Sequence, residues 1–342
     1  MTLWDEIHSQ PRILEDFVDG QLADVGSVAD WMSAQDYTHL VIAARGSSDN
    51  AARYAQYLWG AHNRLEAALA APSLYTLYDS PPGLDGALVV GVSQSGESPD
   101  LLAVLKSAAE QGRPTLAITN NPDSPMATNA DRHLHLAAGP ELAVAATKSY
   151  TCELMAAAAL SAALRGDTSD LDSLRAVPDI VRRTLDLGDR IRGSAAALRD
   201  RDRCVVIGRG YHHSTAFEWA LKIAELAYLV AQPFSAADFR HGPLAIVEPG
   251  LDVLAVVTAG PLFEDVSDLI GIVRERGARV IAISDRYDCP ADDLIIVPPG
   301  LPEWLTPIPT IVAAQLFTYQ LSVARGHDPD NPRGIRKVTK TV

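Results

Sequence analysis

The sequence predicts an α/β chain made of two duplicated domains, each a doubly wound parallel sheet with helices on both faces. Three observations predict it. Short apolar runs alternate with longer amphipathic stretches, the pattern of strands buried on both faces and covered by helices. The same elements recur once in the same order: Arg45-Gly46 and Arg209-Gly210 lie 209 − 45 = 164 residues apart, and Gly96 and Gly260 keep that spacing. Each apolar run also ends in a polar turn, as strands of an open parallel sheet do at the edge where ligands bind.

Taken in order, residues 1–30 read as a helical segment, with neither the basic nor the apolar region of a signal peptide. The first domain spans 31–165. Its "HLVIAARGSSDNAARYAQYLWG", from His39, reads as strand, Arg-Gly turn and helix. In "ALVVGVSQSGESPD", Ser98 fits an N-cap and Pro99 a first helical position. That helix is expected to bury Leu101, Leu102, Leu105 and Ala108 and to end at Gly112. "RPTLAITNN" and "RHLHLAAG" supply further strands, and "LMAAAALSAAL" is too short to span a membrane and reads as a buried helix. Residues 166–200, with "RGDTSD" and "VPDIVRR", read as linker helices. The second domain, 201–325, repeats the first: "CVVIGRGYHHSTAFEWALKIAELA", "LAVVTAG", "GARVIAISDR" and "DLIIVPPG" match it in order. Residues 326–342 form a tail.

Composition narrows the function. A net charge of −14 argues against nucleic acid and against an anionic membrane surface as partner. Cys152, Cys204 and Cys289 lie far apart, with no metal-ligand spacing, so neither a disulfide framework nor a zinc site is expected. They fit reduced structural thiols in a cytoplasmic protein. Neither strand-end turn completes a G-x-G-x-x-G, which makes dinucleotide binding a weak reading, and no cofactor is expected.

The serines of "GVSQSGESPD" need an explanation. A helix N-terminus directs amides and partial positive charge outward, which makes an anion site without a lysine. Ser93, Ser95 and Ser98 add neutral donors there, and Ser47 and Ser48 stand at a second strand end. The alternative is a turn whose serines serve only the backbone. The repeat argues against it: in "VVGVSQSG" against "LAVVTAG" the serines are lost, so only one copy keeps them. One phosphate site per chain is expected.

These motifs resemble the sugar isomerase (SIS) family. "SQSGES" and "ARGSS" carry the likeness in the first half. In the second, "EWALKIAELAYLVAQPFSAADFRHGPLAIV" and "DNPRGIRKVTKTV" are similar to the isomerase half of glutamine–fructose-6-phosphate aminotransferases. The resemblance covers nearly the whole chain. It implies phosphate or substrate binding by Ser47, Ser48, Ser93, Gln94, Ser95 and Ser98, and by the backbone near Val144. Ala146 stands where those enzymes have a serine, which puts one hydroxyl contact in doubt. The resemblance also implies a base, Glu225, that moves a proton between C1 and C2 of an open-chain sugar, with Lys222 positioning that base or shifting its pKa. Glu218 is expected to do no more than form an exposed pair with Lys222. The family's histidine matches His241, which opens the sugar ring from the neighbouring subunit, so a homodimer is implied. Its tail lysine, which forms a Schiff base in the synthase, matches Lys337. The other histidines, His212 and His213 among them, are expected to be structural.

The sequence opens Met-Thr-Leu-Trp, so no counterpart of the glutaminase half of those enzymes, with its amino-terminal cysteine, is expected. The expected function is therefore that of the stand-alone relatives, acting on a hexose 6-phosphate, with glucosamine-6-phosphate deaminase first. A fructosamine-phosphate deglycase or plain aldose–ketose isomerase comes second. A sugar-phosphate-sensing regulator is the non-enzyme alternative.

Overall fold

Two five-stranded, all-parallel sheets organise the chain, one in each repeat. The structure, a computed structural model, describes residues 1–337. The first sheet holds β1 (His39–Ala43), β2 (Glu66–Leu69), β3 (Ala87–Ser93), β4 (Thr115–Thr119) and β5 (Arg132–His135), in the order β2-β1-β3-β4-β5. The second holds β6 (Arg203–Gly208), β7 (Val230–Ser235), β8 (Asp252–Val256), β9 (Arg279–Ser284) and β10 (Asp293–Ile296), in the order β10-β9-β8-β6-β7. Read from the other edge, the second order is the first. Pairing registers match as well: Leu40 faces Leu88, and Cys204, 164 residues on, faces Asp252.

Strand burial explains why these runs lack alternation. Every residue of β3, β4 and β8 is buried, because helices cover both faces of a parallel sheet. The helix Pro99–Glu110 shows how a face is chosen. Leu101, Val104, Leu105 and Ala108 are buried, while Leu102 is only half-buried. Val104 holds the central place expected of Leu102, since positions three, four and seven beyond Leu101 share its face.

The chain divides into two compact units. One comprises residues 12–141, 148–175 and the described tail residues 336 and 337; it contains the first sheet. The other comprises 1–11, 142–147 and 176–335 and contains the second sheet. In the first-repeat unit the helix Lys148–Arg165 is buried from Lys148 to Ala162, as its alanine-rich middle predicts. The linker forms two helices, Thr168–Leu185 and Gly188–Ala196. The amino-terminal helix runs Leu3–Ser33 and carries Pro11 inside. Among the described residues no helix is long and apolar enough to cross a membrane.

Candidate active site

An order of 2-1-3-4-5 reverses direction between β1 and β3, and an open sheet binds ligands beyond the carboxyl ends at that point. In the first-repeat unit that point is built from the two serine-bearing turns. β1 leads through Arg45 into the helix Gly46–Asn63, with Ser47 and Ser48 in its first turn. β3 ends at Ser93 and leads into the helix starting at Pro99. Both helices begin beside the strand ends, so their first-turn amides face the same edge of the sheet.

The loop between them is shaped by its own hydroxyls. Ser93 Oγ accepts the Gly96 N–H at 3.1 Å, and Ser95 Oγ accepts the Glu97 N–H at 3.3 Å. Gly96 sits at φ +65°, and a Cβ there would lie 2.2 Å from Ser124 Oγ, so only glycine fits. Ser98 is the N-cap residue but makes no side-chain capping bond. Its hydroxyl, half-buried like Gln94 and Ser95, is not spent on the helix.

The Arg45 side chain reaches across the two turns to Asp100, Nε to Oδ2 at 2.7 Å, and the Asp100 carboxylate is fully buried. Its other oxygen accepts the Leu101 N–H at 3.0 Å. The nearby guanidinium therefore braces two turns through a buried carboxylate. Ser48 Oγ donates to the buried Glu153 carboxylate at 2.7 Å. Sequence spacing gave no hint of that bond, because Glu153 lies 105 residues further along the chain.

Lys337 also lands in this unit. Its Nζ lies 2.6 Å from Oε2 of Glu141, a carboxylate with no exposed side-chain surface. Glu141 accepts in addition from Ser149 Oγ at 2.7 Å and Ser149 N–H at 3.1 Å. The Cys152 thiol on the same helix is pushed up, first by burial and then by the carboxylates of Glu141 and Glu153. Burial likewise raises Cys204, and raises Cys289 to about 11.

In the second-repeat unit, Glu218, Lys222 and Glu225 lie on one face of the helix His212–Ala227. The expected exposed Glu218–Lys222 pair is not exposed. Glu218 is fully buried and Lys222 is 2% exposed, with Nζ 3.4 Å from Glu218 and 2.5 Å from Glu225. Glu225, 23% exposed, is the outermost of the three. A buried ammonium needs compensating charge, and two carboxylates on one face supply it. The helical period shows which residues share a face; it does not show what covers that face.

His241 follows the short helix Ala236–Arg240, exposed, with Gly242 at φ +134° behind it. Val144 lies half-buried in the irregular stretch after Glu141. His212 is buried, and its ring bonds Thr258 Oγ1 at 2.8 Å and Thr306 Oγ1 at 3.1 Å. Burial pushes its pKa down to about 3, which keeps the ring neutral. Among the described residues no cluster of three or more His, Cys, Asp or Glu is arranged to hold a metal.

Comparison with known proteins agrees with this architecture. The SIS domain model matches residues 35–163 and again 197–325. Glutamine–fructose-6-phosphate aminotransferase (isomerizing) of Thermococcus kodakarensis is 35% identical over 97% of this chain and 56% of its own length, so the chain spans about half of such relatives. The C-terminal domain of glucosamine-fructose-6-phosphate aminotransferase from Francisella tularensis superposes with a TM-score of 0.89 at 26% identity, covering 96% of this chain and 98% of that one. Glucosamine-6-phosphate deaminase from Thermotoga maritima covers the whole of both chains with a TM-score of 0.79; at 21% identity this is a likeness of fold alone.

Proposed function

Because the chain belongs to the SIS domain family, we propose that it is a phosphosugar isomerase acting at C1 and C2 of a hexose 6-phosphate, with glucosamine-6-phosphate deaminase as its reaction. The observation that carries the proposal is the set of serines at the ends of β1 and β3, present in one repeat only. Hydroxyls and helix amides suit a compact anion such as phosphate better than a neutral ring.

In this reaction the phosphate is held by Ser47, Ser93, Gln94, Ser95 and Ser98 and by the main-chain N–H of Ser48, whose hydroxyl is committed to Glu153, and His241 assists ring opening. Glu225 takes the proton from C2 of the open-chain aldose, leaving an enolamine across C1 and C2. The proton returns at C1, which leaves an imine at C2. Water adds to that imine, and ammonia departs as the ketose 6-phosphate forms. Lys222 holds Glu225 in place through its 2.5 Å contact. Lys337 and the backbone at Val144 complete the contacts to the open-chain sugar. The exposed setting of His241 favours service to a second copy of the chain, so the working form we propose is a homodimer.

The choice of ammonia release rests on the likeness to glutamine–fructose-6-phosphate aminotransferases, which favours a nitrogen-bearing hexose 6-phosphate as substrate. The test is direct: the protein is given glucosamine 6-phosphate, and ammonia and fructose 6-phosphate are measured together. Both should appear in equal amounts. Interconversion of hexose 6-phosphates without ammonia would leave the isomerase and overturn the deaminase.

A further inference from the structure

The segment Gly326 to Ile335 has neither helix nor strand, yet it is fastened at several points. Asp328 folds it on itself by accepting the Asp330 N–H at 3.0 Å and Asn331 Nδ2 at 2.7 Å. Asp330 accepts the Leu3 N–H at 2.6 Å, and Pro332 is buried. The contacts concentrate on Tyr228. Its hydroxyl accepts the Arg333 N–H at 2.8 Å, the Arg333 guanidinium lies 4.0 Å from the ring centroid, and the His327 ring lies 4.7 Å away.

Tyr228 is the first residue beyond the helix that carries Lys222 and Glu225, with left-handed backbone at φ 52°. The first repeat shows what that turn requires. Arg64, 228 − 164 = 64, ends the corresponding helix at φ 55° with its side chain exposed. The same turn forms there without a ring to pack on. The turn therefore does not account for the tyrosine; the tail does.

We propose that Tyr228 is a positioning residue: it ties the tail to the helix bearing Glu225 and so fixes the approach of Lys337, four residues beyond Arg333. The proposal rests on the reading above, in which Lys337 contacts the sugar. An amine on a loose tail samples a large volume, and an anchor a few residues away confines it to productive geometries.

The experiment combines hydrogen exchange of the tail with steady-state kinetics on glucosamine 6-phosphate, in the full chain. Tyr228→Ala should speed exchange across 326–337 by about tenfold and lower kcat by about tenfold, with a smaller change in KM. Tyr228→Phe, which keeps the ring under Arg333, should lose less of both. In a Lys337→Ala background, Tyr228→Ala should lower kcat no further, which a merely structural role would not predict. If Tyr228→Ala does not fold, Arg333→Ala must show the same faster exchange. Unchanged tail exchange in Tyr228→Ala or Arg333→Ala overturns the anchor. Faster exchange with unchanged kcat overturns the link to Lys337. A parental protein that turns over no hexose 6-phosphate overturns the proposed reaction, while the exchange result still decides the anchor.

Discussion

The ends of β1 and β3 and the ends of β6 and β8 are the same place in two copies of one fold, put to different uses. At the 164-residue offset, Ser48 corresponds to His212, Gln94 to Thr258, Ser95 to Ala259 and Ser98 to Leu262. The first end presents hydroxyls. The second is filled by a neutral imidazole bonded to Thr258 and Thr306, and Leu262 stands where the N-cap serine stood. Glu303 and Asp285 also lie there, and the Glu303 carboxyl is pushed up by burial and then by Asp285. An anion at the second end would meet carboxylates. Both copies brace the turn with an arginine and a carboxylate: Arg45 with Asp100, and Arg209 with Asp265, one position beyond the equivalent Glu264. Duplication preserved what holds the turns together and freed what faces the ligand. The adjoining helices diverge the other way. Glu218, Lys222 and Glu225 correspond to Tyr54, Leu58 and Ala61, so the second copy carries the charged face.

The sharpest way to break this division is to move the carboxylate. Glu225→Gln should lower kcat about a thousandfold, within the range for loss of a positioned base, and change KM little. Ala61→Gln, the same position in the first repeat, is exposed and should leave turnover within about twofold. A Glu225→Gln protein that works at the parental rate would place the chemistry elsewhere and favour a sensor. Next in size is the anion end. Ser95→Ala combined with Ser98→Ala should raise KM for the hexose 6-phosphate by about a hundredfold, since hydrogen bonds to a charged group contribute roughly 1.5 kcal/mol or more each. Thr258→Ala, at the matching end, should cost about 1 kcal/mol of stability and leave KM alone.

His212 sharpens the contrast through pH. Its native pKa of about 3 lies below the ordinary 6.5, so below pH 6.5 the unfolded chain binds a proton that the native chain does not. Stability is therefore present above that pH and falls as pH drops, by up to about 1.4 kcal/mol per unit until the native ring also protonates. Urea midpoints between pH 7 and pH 5 should fall more steeply in the parent than in His212→Gln. Parallel curves would mean that the second strand end is not filled as described.

Much of this was legible before any coordinates, and the reason is the repeat. One offset aligned the strands, predicted two parallel sheets of one kind and exposed the asymmetry in serines. Local patterns served as well where a single element decides, as at Ser98-Pro99. Long-range pairings were not legible. Ser48 with Glu153, Arg45 with Asp100 and Lys337 with Glu141 join residues whose separation carries no periodic signal. Burial of Glu218 and Lys222 was missed for a related reason: an i, i+4 ion pair looks the same in sequence on a solvated face and on a covered one.

The smallest effect is also the most discriminating, because it acts on a feature both copies share. Asp100→Asn keeps the acceptor for the Leu101 N–H but removes the charge opposite Arg45, whose side chain is about half exposed. The guanidinium is then uncompensated beside the serine turns. Affinity for inorganic phosphate should rise about threefold at low salt, and the gain should fade as the Debye length shrinks. Stability should fall by about 1 kcal/mol, the low end for a charged hydrogen bond because one partner is exposed. Asp265→Asn removes the carboxylate opposite Arg209 in the second repeat, where Asp265 also holds Arg240. It should cost similar stability and leave phosphate affinity untouched. Calorimetry at two salt concentrations reads both. A gain in both variants, or in neither, would mean that phosphate does not distinguish the two strand ends, and the division of labour between the repeats would fail at its first step.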